Sequence, residues 1–235
     1  MKIDIDKVRA LYGAVQNVWP NDNMWHQYTK NQISKYINRM KYAEDSYLLN
    51  AGSGGSDYGL KFRMVHVDIV ENKINQFQEY VTASVETMPF DASTFTDVIC
   101  VGSVINYCDA MTTIHELSRV LKPRGSLLIE FESSWGFEHR KSSIYKRDAE
   151  IVKLPYFGKY HTQWIYSPKY ISNILYLAGF KIAAKHRFHF LSGLLYSKCQ
   201  DENKAANFAK YDWLFRVLPI IKHHSSNIIY YCIKN

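Results

Sequence analysis

Apolar positions along this chain follow two rhythms. Short unbroken runs recur through its middle: Ser46-Tyr47-Leu48-Leu49-Asn50-Ala51, Arg63-Met64-Val65-His66-Val67-Asp68, Asp97-Val98-Ile99-Cys100-Val101 and Ser126-Leu127-Leu128-Ile129-Glu130-Phe131. Runs without polar alternation suit strands covered on both faces, as in a parallel sheet. Between the last two, apolar residues at Met111, Ile114, Leu117, Val120 and Leu121 keep the spacing of one helix face. Lys122-Pro123-Arg124-Gly125 stops that helix and turns the chain into the next strand. Strands alternating with helices predict an α/β fold built on a doubly wound sheet.

The flanks read differently. Residues 1–45 predict an N-terminal segment of two helices, the second around Trp25–Met40. Residues 133–166 are charged, aromatic and poorly periodic, with Pro155 and Gly158 as breakers, and predict a lid-like insertion. Ser167-Pro168 then opens a helix, with Ser as cap and Pro in the first turn. Its apolar face is Ile171, Ile174, Leu175 and Ala178, and Gly179 ends it. A strand over Phe180–His186, a helical patch around Ala205–Leu218 within a second insertion (190–222), and a last strand over Asn227–Ile233 complete the chain. All of it reads as a single domain, 1–235.

A glycine-rich turn at a strand end lets backbone approach a ligand closely, because no Cβ intervenes. In an open parallel sheet such a turn lies in the crevice where nucleotides bind. Asn50-Ala51-Gly52-Ser53-Gly54-Gly55-Ser56 has that character, and the next strand ends in Asp68, placed to accept ribose hydroxyls. These two features suit a dinucleotide enzyme equally well. The usual nicotinamide pattern, however, needs glycine where Asp57 stands.

The order of later segments is more specific. Ala83-Ser84-Val85-Glu86-Thr87-Met88-Pro89-Phe90-Asp91, then Phe95-Thr96-Asp97-Val98, then Arg119-Val120-Leu121-Lys122-Pro123-Arg124-Gly125-Ser126-Leu127-Leu128-Ile129 closely resembles the class I S-adenosylmethionine-dependent methyltransferases of small-molecule type. The resemblance covers residues 45–133 and 167–189. It implies a Rossmann-like, mostly parallel seven-stranded sheet with helices on both faces and an antiparallel last strand. It implies S-adenosylmethionine as cofactor and S-adenosylhomocysteine as product. Asn50, Ala51, Gly52, Ser53 and Gly54 would surround the methionine and ribose parts, and Asp68 would hold the ribose. Ile69, Ser84 and Val85 would meet the adenine, with Glu86 beside them. Gly102, Ser103 and Val104 would lie near the methionine, with Tyr28 closing from the N-terminal segment.

The sequence departs from that pattern at Asn50 and Ser84, where acidic residues are usual, and at Ser56, where glycine is usual. Only 68 − 52 = 16 positions separate Gly52 from Asp68, so the helix after the glycine turn must be short. A partner subunit that binds the cofactor without turnover is the alternative from another functional class.

Charge and composition narrow the reading. Lys and Arg total 29 against 22 acidic residues, a formal charge of +7, but they are scattered as on a solvated surface. The place after the fourth strand reads Gly102-Ser103-Val104-Ile105-Asn106-Tyr107 and lacks the Asn/Asp-Pro-Pro-aromatic motif of nucleic-acid amino-methylating enzymes. A small-molecule acceptor, methylated on N or O, is therefore expected rather than nucleic acid. With 18 Tyr, 12 Phe and 5 Trp, the aromatics exceed the needs of a core this size. They predict an enclosed pocket for an aromatic or amphipathic acceptor, or else a second small core or a homodimer contact. His139 and His161 are the candidate general bases. Neither zinc-ligand spacing nor clustered carboxylates are visible, so no metal is expected. Cys100, Cys108, Cys199 and Cys232 form no CxxC pair, no apolar stretch is long enough to span a bilayer, and Met1-Lys2-Ile3-Asp4-Ile5-Asp6 lacks a leader's apolar core. The expected compartment is a reducing cytoplasm.

Overall fold

The computed structural model describes residues 3–156, 159–216, 218 and 221–235; Met1, Lys2, Gly158 and parts of both insertions named above lie outside them. The unbroken apolar runs become β1 (Tyr47–Ala51), β2 (Arg63–Asp68), β4 (Phe95–Cys100) and β5 (Leu121–Glu132), and a short β3 (Tyr80–Thr82) joins them. These strands run parallel in the order β3-β2-β1-β4-β5. Strands β6 (Ala149–Tyr156) and β7 (Lys159–Tyr166) form a separate antiparallel pair. Strand β9 (Asn227–Lys234) inserts antiparallel between β5 and β8 (Phe180–Phe188), completing a seven-stranded sheet. This is the Rossmann-like architecture that the resemblance implied.

Successive strand residues face opposite sides, so each strand feeds two cores. Leu49, Val98 and Leu127 pack under α4 (Ala110–Val120) and α5 (Pro168–Leu177), against Ile114, Leu117, Ile171 and Ile174. Each such fully buried Leu or Ile contributes about 1.5–3 kcal/mol relative to exposure. Ser167 caps α5 through Tyr170 N, and Gly179 ends it at φ +85°. On the opposite face, Leu48, Met64, Ile99 and Leu128 pack against Ile33 and Ile37. Those two belong to α2 (Met24–Ile37), which follows α1 (Ile5–Ala14) in the N-terminal segment.

The short helix expected after the glycine turn is absent among the described residues; turns alone connect β1 to β2. Gly52, Gly54, Gly55 and Gly59 all take positive φ there, which breaks any helix. Helix α2 covers the sheet face that such a helix would occupy. A four-residue α3 (Glu71–Ile74) follows β2.

Residues 133–166 are more regular than their composition predicts. A 3-10 turn (Phe137–His139) precedes the β6–β7 pair, in which Pro155 opposes Tyr160. Proline is tolerated because a two-stranded ribbon leaves each strand an edge without ladder partners. Between β8 and β9 the chain forms α6 (Leu191–Cys199), α7 (Glu202–Ala206), a 3-10 turn (Ala209–Tyr211) and α8 (Asp212–Arg216). His189 ties this region to α2: its ring lies 3.7 Å from the parallel Trp25 ring, with Thr29 Oγ1 2.9 Å from Nε2 and Ser192 Oγ 2.8 Å from Nδ1. Asn23 Nδ2 adds a 2.6 Å hydrogen bond to Glu202 Oε2. No helix among the described residues is long and apolar enough to cross a membrane.

Candidate active site

The glycine turn leaves β1 and is held from three sides. Gly52 N and Ser53 N donate to Val67 O at 2.8 and 2.9 Å. Asn50 Nδ2 donates to Ser56 O at 2.7 Å, closing the turn from inside. Ser53 Oγ lies 2.8 Å from Nδ1 of His66, whose ring stacks on Phe77. Burial pulls His66 down to about 4, so the imidazole is neutral at pH 7. Gly52 has φ +75°, and a Cβ there would stand 2.3 Å from Val104 Cγ2. The turn thus presses directly on the segment after β4.

Asp68 ends β2 facing this turn. Its Oδ2 accepts from Gly54 N at 2.8 Å and its Oδ1 from Val70 N at 2.9 Å. Burial raises its carboxyl while these backbone donors oppose the rise. Each oxygen keeps a second lone pair for a hydroxyl donor. Across the crevice, Ser103 takes φ +59° and its N–H donates to Glu130 Oε2 at 2.6 Å. Glu130 is fully buried, and Asn227 Nδ2 donates to its other oxygen at 2.7 Å. Burial raises the Glu130 carboxyl.

These loops open into one cavity of about 260 Å³. The connection between α1 and α2 covers the glycine end. Built Cβ atoms at Gly54 and Gly102 would stand 3.3 Å from Val18 Cγ2 and Trp19 Cζ2. Tyr12 on α1 reaches Tyr107 across the crevice, hydroxyl to hydroxyl at 3.0 Å. The far end is built by Trp25, His26 and Thr29 of α2, Glu132, Glu138 and His139 after β5, Leu154, His161 and Gln163 of the hairpin, and Tyr196, Glu202, Ser226 and Asn227. There Gln163 is buried and bifunctional. Its Nε2 donates to Glu132 Oε2 at 2.6 Å, and its Oε1 lies 3.2 Å from His161 Nε2. Burial, with the Glu130 charge adding to it, pushes Glu132 up to about 7. Burial lowers His161. Glu138 accepts from Ser226 Oγ at 2.7 Å and lies 3.6 Å from His139 Nε2.

Of the residues singled out from the sequence, Gly52, Ser53, Gly54, Asp68, Ile69, Ser84, Val85, Gly102, Ser103, Val104, His139 and His161 line this cavity. Tyr28 is not among its lining residues. It lies about 80° round α2 from the middle of the Trp25–Thr29 face and packs edge-on against Phe188 and His189. Asn50 and Ala51 are buried behind the turn, where Asn50 braces it. Glu86 accepts from Asp109 N at 2.7 Å and thereby fastens its loop to the start of α4.

Residues 49–129 match the family described as Methyltransferase domain. That match spans about a third of the chain. It contains the glycine turn, Asp68 and the Ser84 and Gly102 loops, which together line one end of the cavity. No curated protein matches the chain significantly. Among solved structures, a candidate S-adenosylmethionine-dependent methyltransferase from Listeria monocytogenes superposes with a TM-score of 0.60 at 10% identity, covering 89% of this chain and 99% of that one. The 1,6-didemethyltoxoflavin-N1-methyltransferase of Burkholderia thailandensis, solved with its substrate and S-adenosylhomocysteine, gives 0.57 at 12% identity over 98% and 86%. A candidate histamine N-methyltransferase of Thermotoga maritima gives 0.58 at 13% identity over 90% and 92%. At these identities the likeness speaks for the fold alone.

The far end of the cavity, outside the matched stretch, is where sequence reasoning missed most. Trp25, Glu138, Gln163, Tyr196 and Glu202 carry no motif, and long-range packing alone brings them together. The aromatic excess of the chain was the one visible trace of Trp25 and Tyr196. No group of three or more His, Cys, Asp or Glu able to hold a metal occurs among the described residues.

Proposed function

We propose that this chain transfers the methyl group of S-adenosylmethionine to an N or O atom of a small-molecule acceptor. The observation that carries the reading is the cavity, in which loops of the stretch that matches methyltransferase domains meet an end lined by aromatic, histidine and carboxylate side chains. The cofactor fits the residues present. A side chain at Gly52 would collide with Val104, so only backbone lines that cradle, and Asp68 offers acceptor sites at the β2 end.

When bound, the cofactor supplies an electrophilic methyl group on a sulfonium. The protein's part is then placement, exclusion of water and proton handling. Asp68 would accept the ribose hydroxyls, and Ile69 and Val85 would meet the adenine. Trp19 and Tyr12 shield the glycine end from solvent. His139, His161 and Glu132 stand at the acceptor end as groups able to take a proton. The cavity's modest volume and aromatic walls favour a metabolite over a polymer.

The test is an acceptor screen by mass spectrometry, with isotopically labelled S-adenosylmethionine as donor. A small-molecule product carrying the label supports the proposal. Label appearing in nucleic acid or protein substrates, or no product from any acceptor despite bound cofactor, overturns it.

A further inference from the structure

The exterior and the cavity carry opposite charge. The chain bears a formal +7, yet the charged lining residues other than histidine are Asp68, Glu132, Glu138 and Glu202 against Lys73 alone. Lys73 sits at the glycine end, where its ammonium donates to the Val15 and Gln16 carbonyls of the cover. The acceptor end therefore holds Glu132, Glu138 and Glu202 with no lysine or arginine among its described lining residues. Their partners are neutral amides, a hydroxyl and a histidine: Gln163 for Glu132, Ser226 and His139 for Glu138, and Asn23 for Glu202.

Two of these carboxylates sit in seats that the fold reserves for them. A Cβ at Gly136 would stand 2.2 Å from Glu138 Oε1, and one at Gly193 2.9 Å from Glu138 Oε2. Both glycines have negative φ, so close approach of Glu138 is what the missing side chains permit. Glu132 is aimed by Gln163, whose amide is itself oriented by His161, a hydrogen-bonded row running β5 to β7. Around them stand the rings of Trp25, Tyr107 and Tyr196. Aromatic faces attract ammonium groups, more strongly once water is excluded. An anionic acceptor would meet like charges at this end, which costs several kcal/mol.

We propose that the acceptor is an amine that enters as its ammonium form, is held by Glu138 and the aromatic walls, and gives its proton to Glu132 before methylation. The inference rests on the methyltransferase reading above and specifies its substrate class. The step balances as follows. The ammonium transfers one proton to the Glu132 carboxylate, leaving a neutral amine lone pair. That pair forms the new N–C bond as the S–C bond breaks, and the sulfonium takes the leaving pair to become a neutral thioether. The product is a methylated ammonium, and Glu132 leaves as the carboxylic acid. A carboxyl poised near neutrality, as burial makes Glu132, is suited to the exchange.

Calorimetry tests this on the full chain saturated with S-adenosylhomocysteine, which is neutral at sulfur. The probes are matched panels of arylalkylamines, the corresponding alcohols and the corresponding carboxylates, led by 2-phenylethylamine, 2-phenylethanol and phenylacetate. The expected result is binding by members of the amine panel, at least about 10-fold tighter than their alcohols, with the carboxylates silent. Glu138→Gln removes that preference while S-adenosylhomocysteine still binds, which also reports an intact fold. Glu132→Gln retains amine binding within a few-fold but lowers turnover of the bound amine by about 100-fold or more. Binding confined to alcohols or carboxylates, no binding from any panel, or an amine preference unchanged in both variants overturns the inference. In each of those cases S-adenosylhomocysteine binding leaves the methyltransferase reading standing. Failure of S-adenosylhomocysteine itself to bind overturns both.

Discussion

Replacing Gly52 with alanine tests how tightly the glycine turn is built. Two costs add. Gly52 has φ +75°, where an L-residue pays about 1–2 kcal/mol for the left-handed region. The new Cβ would also stand 2.3, 2.5 and 2.9 Å from Val104 Cγ2, Cγ1 and Cβ. Val104 begins the 3-10 turn Val104–Tyr107 behind a fully buried Ile105, so it has little room to retreat. Overpacking of this kind costs about 1–3 kcal/mol, for a total of roughly 2–5 kcal/mol. Gly59→Ala is the internal control. Its φ is +71°, but a Cβ there meets nothing within 4 Å, so it pays the backbone cost alone. Urea unfolding of both variants therefore separates the packing cost by subtraction, and each kcal/mol also lowers the Tm by about 2–4 °C in a chain of this size. Because Val104 lines the cavity, Gly52→Ala also weakens S-adenosylhomocysteine binding by about 10-fold or more, an energy comparable to the displacement. Equal destabilisation by the two variants, with ligand binding retained in both, would refute this picture of the turn.

Other perturbations follow from the same geometry. Asn50→Asp replaces a donor to Ser56 O by an acceptor facing an acceptor, so urea unfolding is expected to show a loss of about 1–3 kcal/mol with no gain in cofactor affinity. His66 has its pKa lowered from 6.5 to about 4, so between those values the unfolded chain binds more protons than the folded one. Its contribution is fully present above pH 6.5 and is lost as the pH falls toward 4, by at most about 3 kcal/mol; His66→Asn should flatten that slope in urea titrations. Glu116 accepts from Met88 N and from Arg119 Nε, both at 2.7 Å. Glu116→Ala should expose the loop of residues 86–91 to limited proteolysis at a stability cost of about 1–2 kcal/mol.

The parallel strands were legible because burial on both faces leaves continuous apolar runs, and Leu48 and Leu49 serve opposite cores. The helix starting at Pro168 was legible because its cap and terminator are local chemistry. β3 has only three residues and left too little pattern to read. The β6–β7 ribbon mixes apolar, charged and aromatic residues without a period of two, so it shows no single buried face in sequence. The missing helix after the glycine turn shows tertiary packing overriding a family pattern: α2, distant in sequence, already covers that face. The same reasoning applies to the site. Glycines and Asp68 are read from local geometry, whereas Asn50 and Glu86 look like ligands in sequence and act as braces in the fold. Glu132, Gln163 and Glu138 become a unit only when β5, β7 and the 3-10 turn meet.

The most direct test of the account is calorimetric titration of the full chain with S-adenosylmethionine and S-adenosylhomocysteine, with NAD beside them and Asp68→Asn as the variant. Asparagine keeps the shape but turns one acceptor of the pair into a donor facing Gly54 N–H or Val70 N–H. Saturable binding of both sulfur nucleotides, no NAD binding, and an affinity about 10-fold or more weaker in the variant are the predicted results. NAD binding in their place, or sulfur-nucleotide binding indifferent to Asp68, would contradict the account.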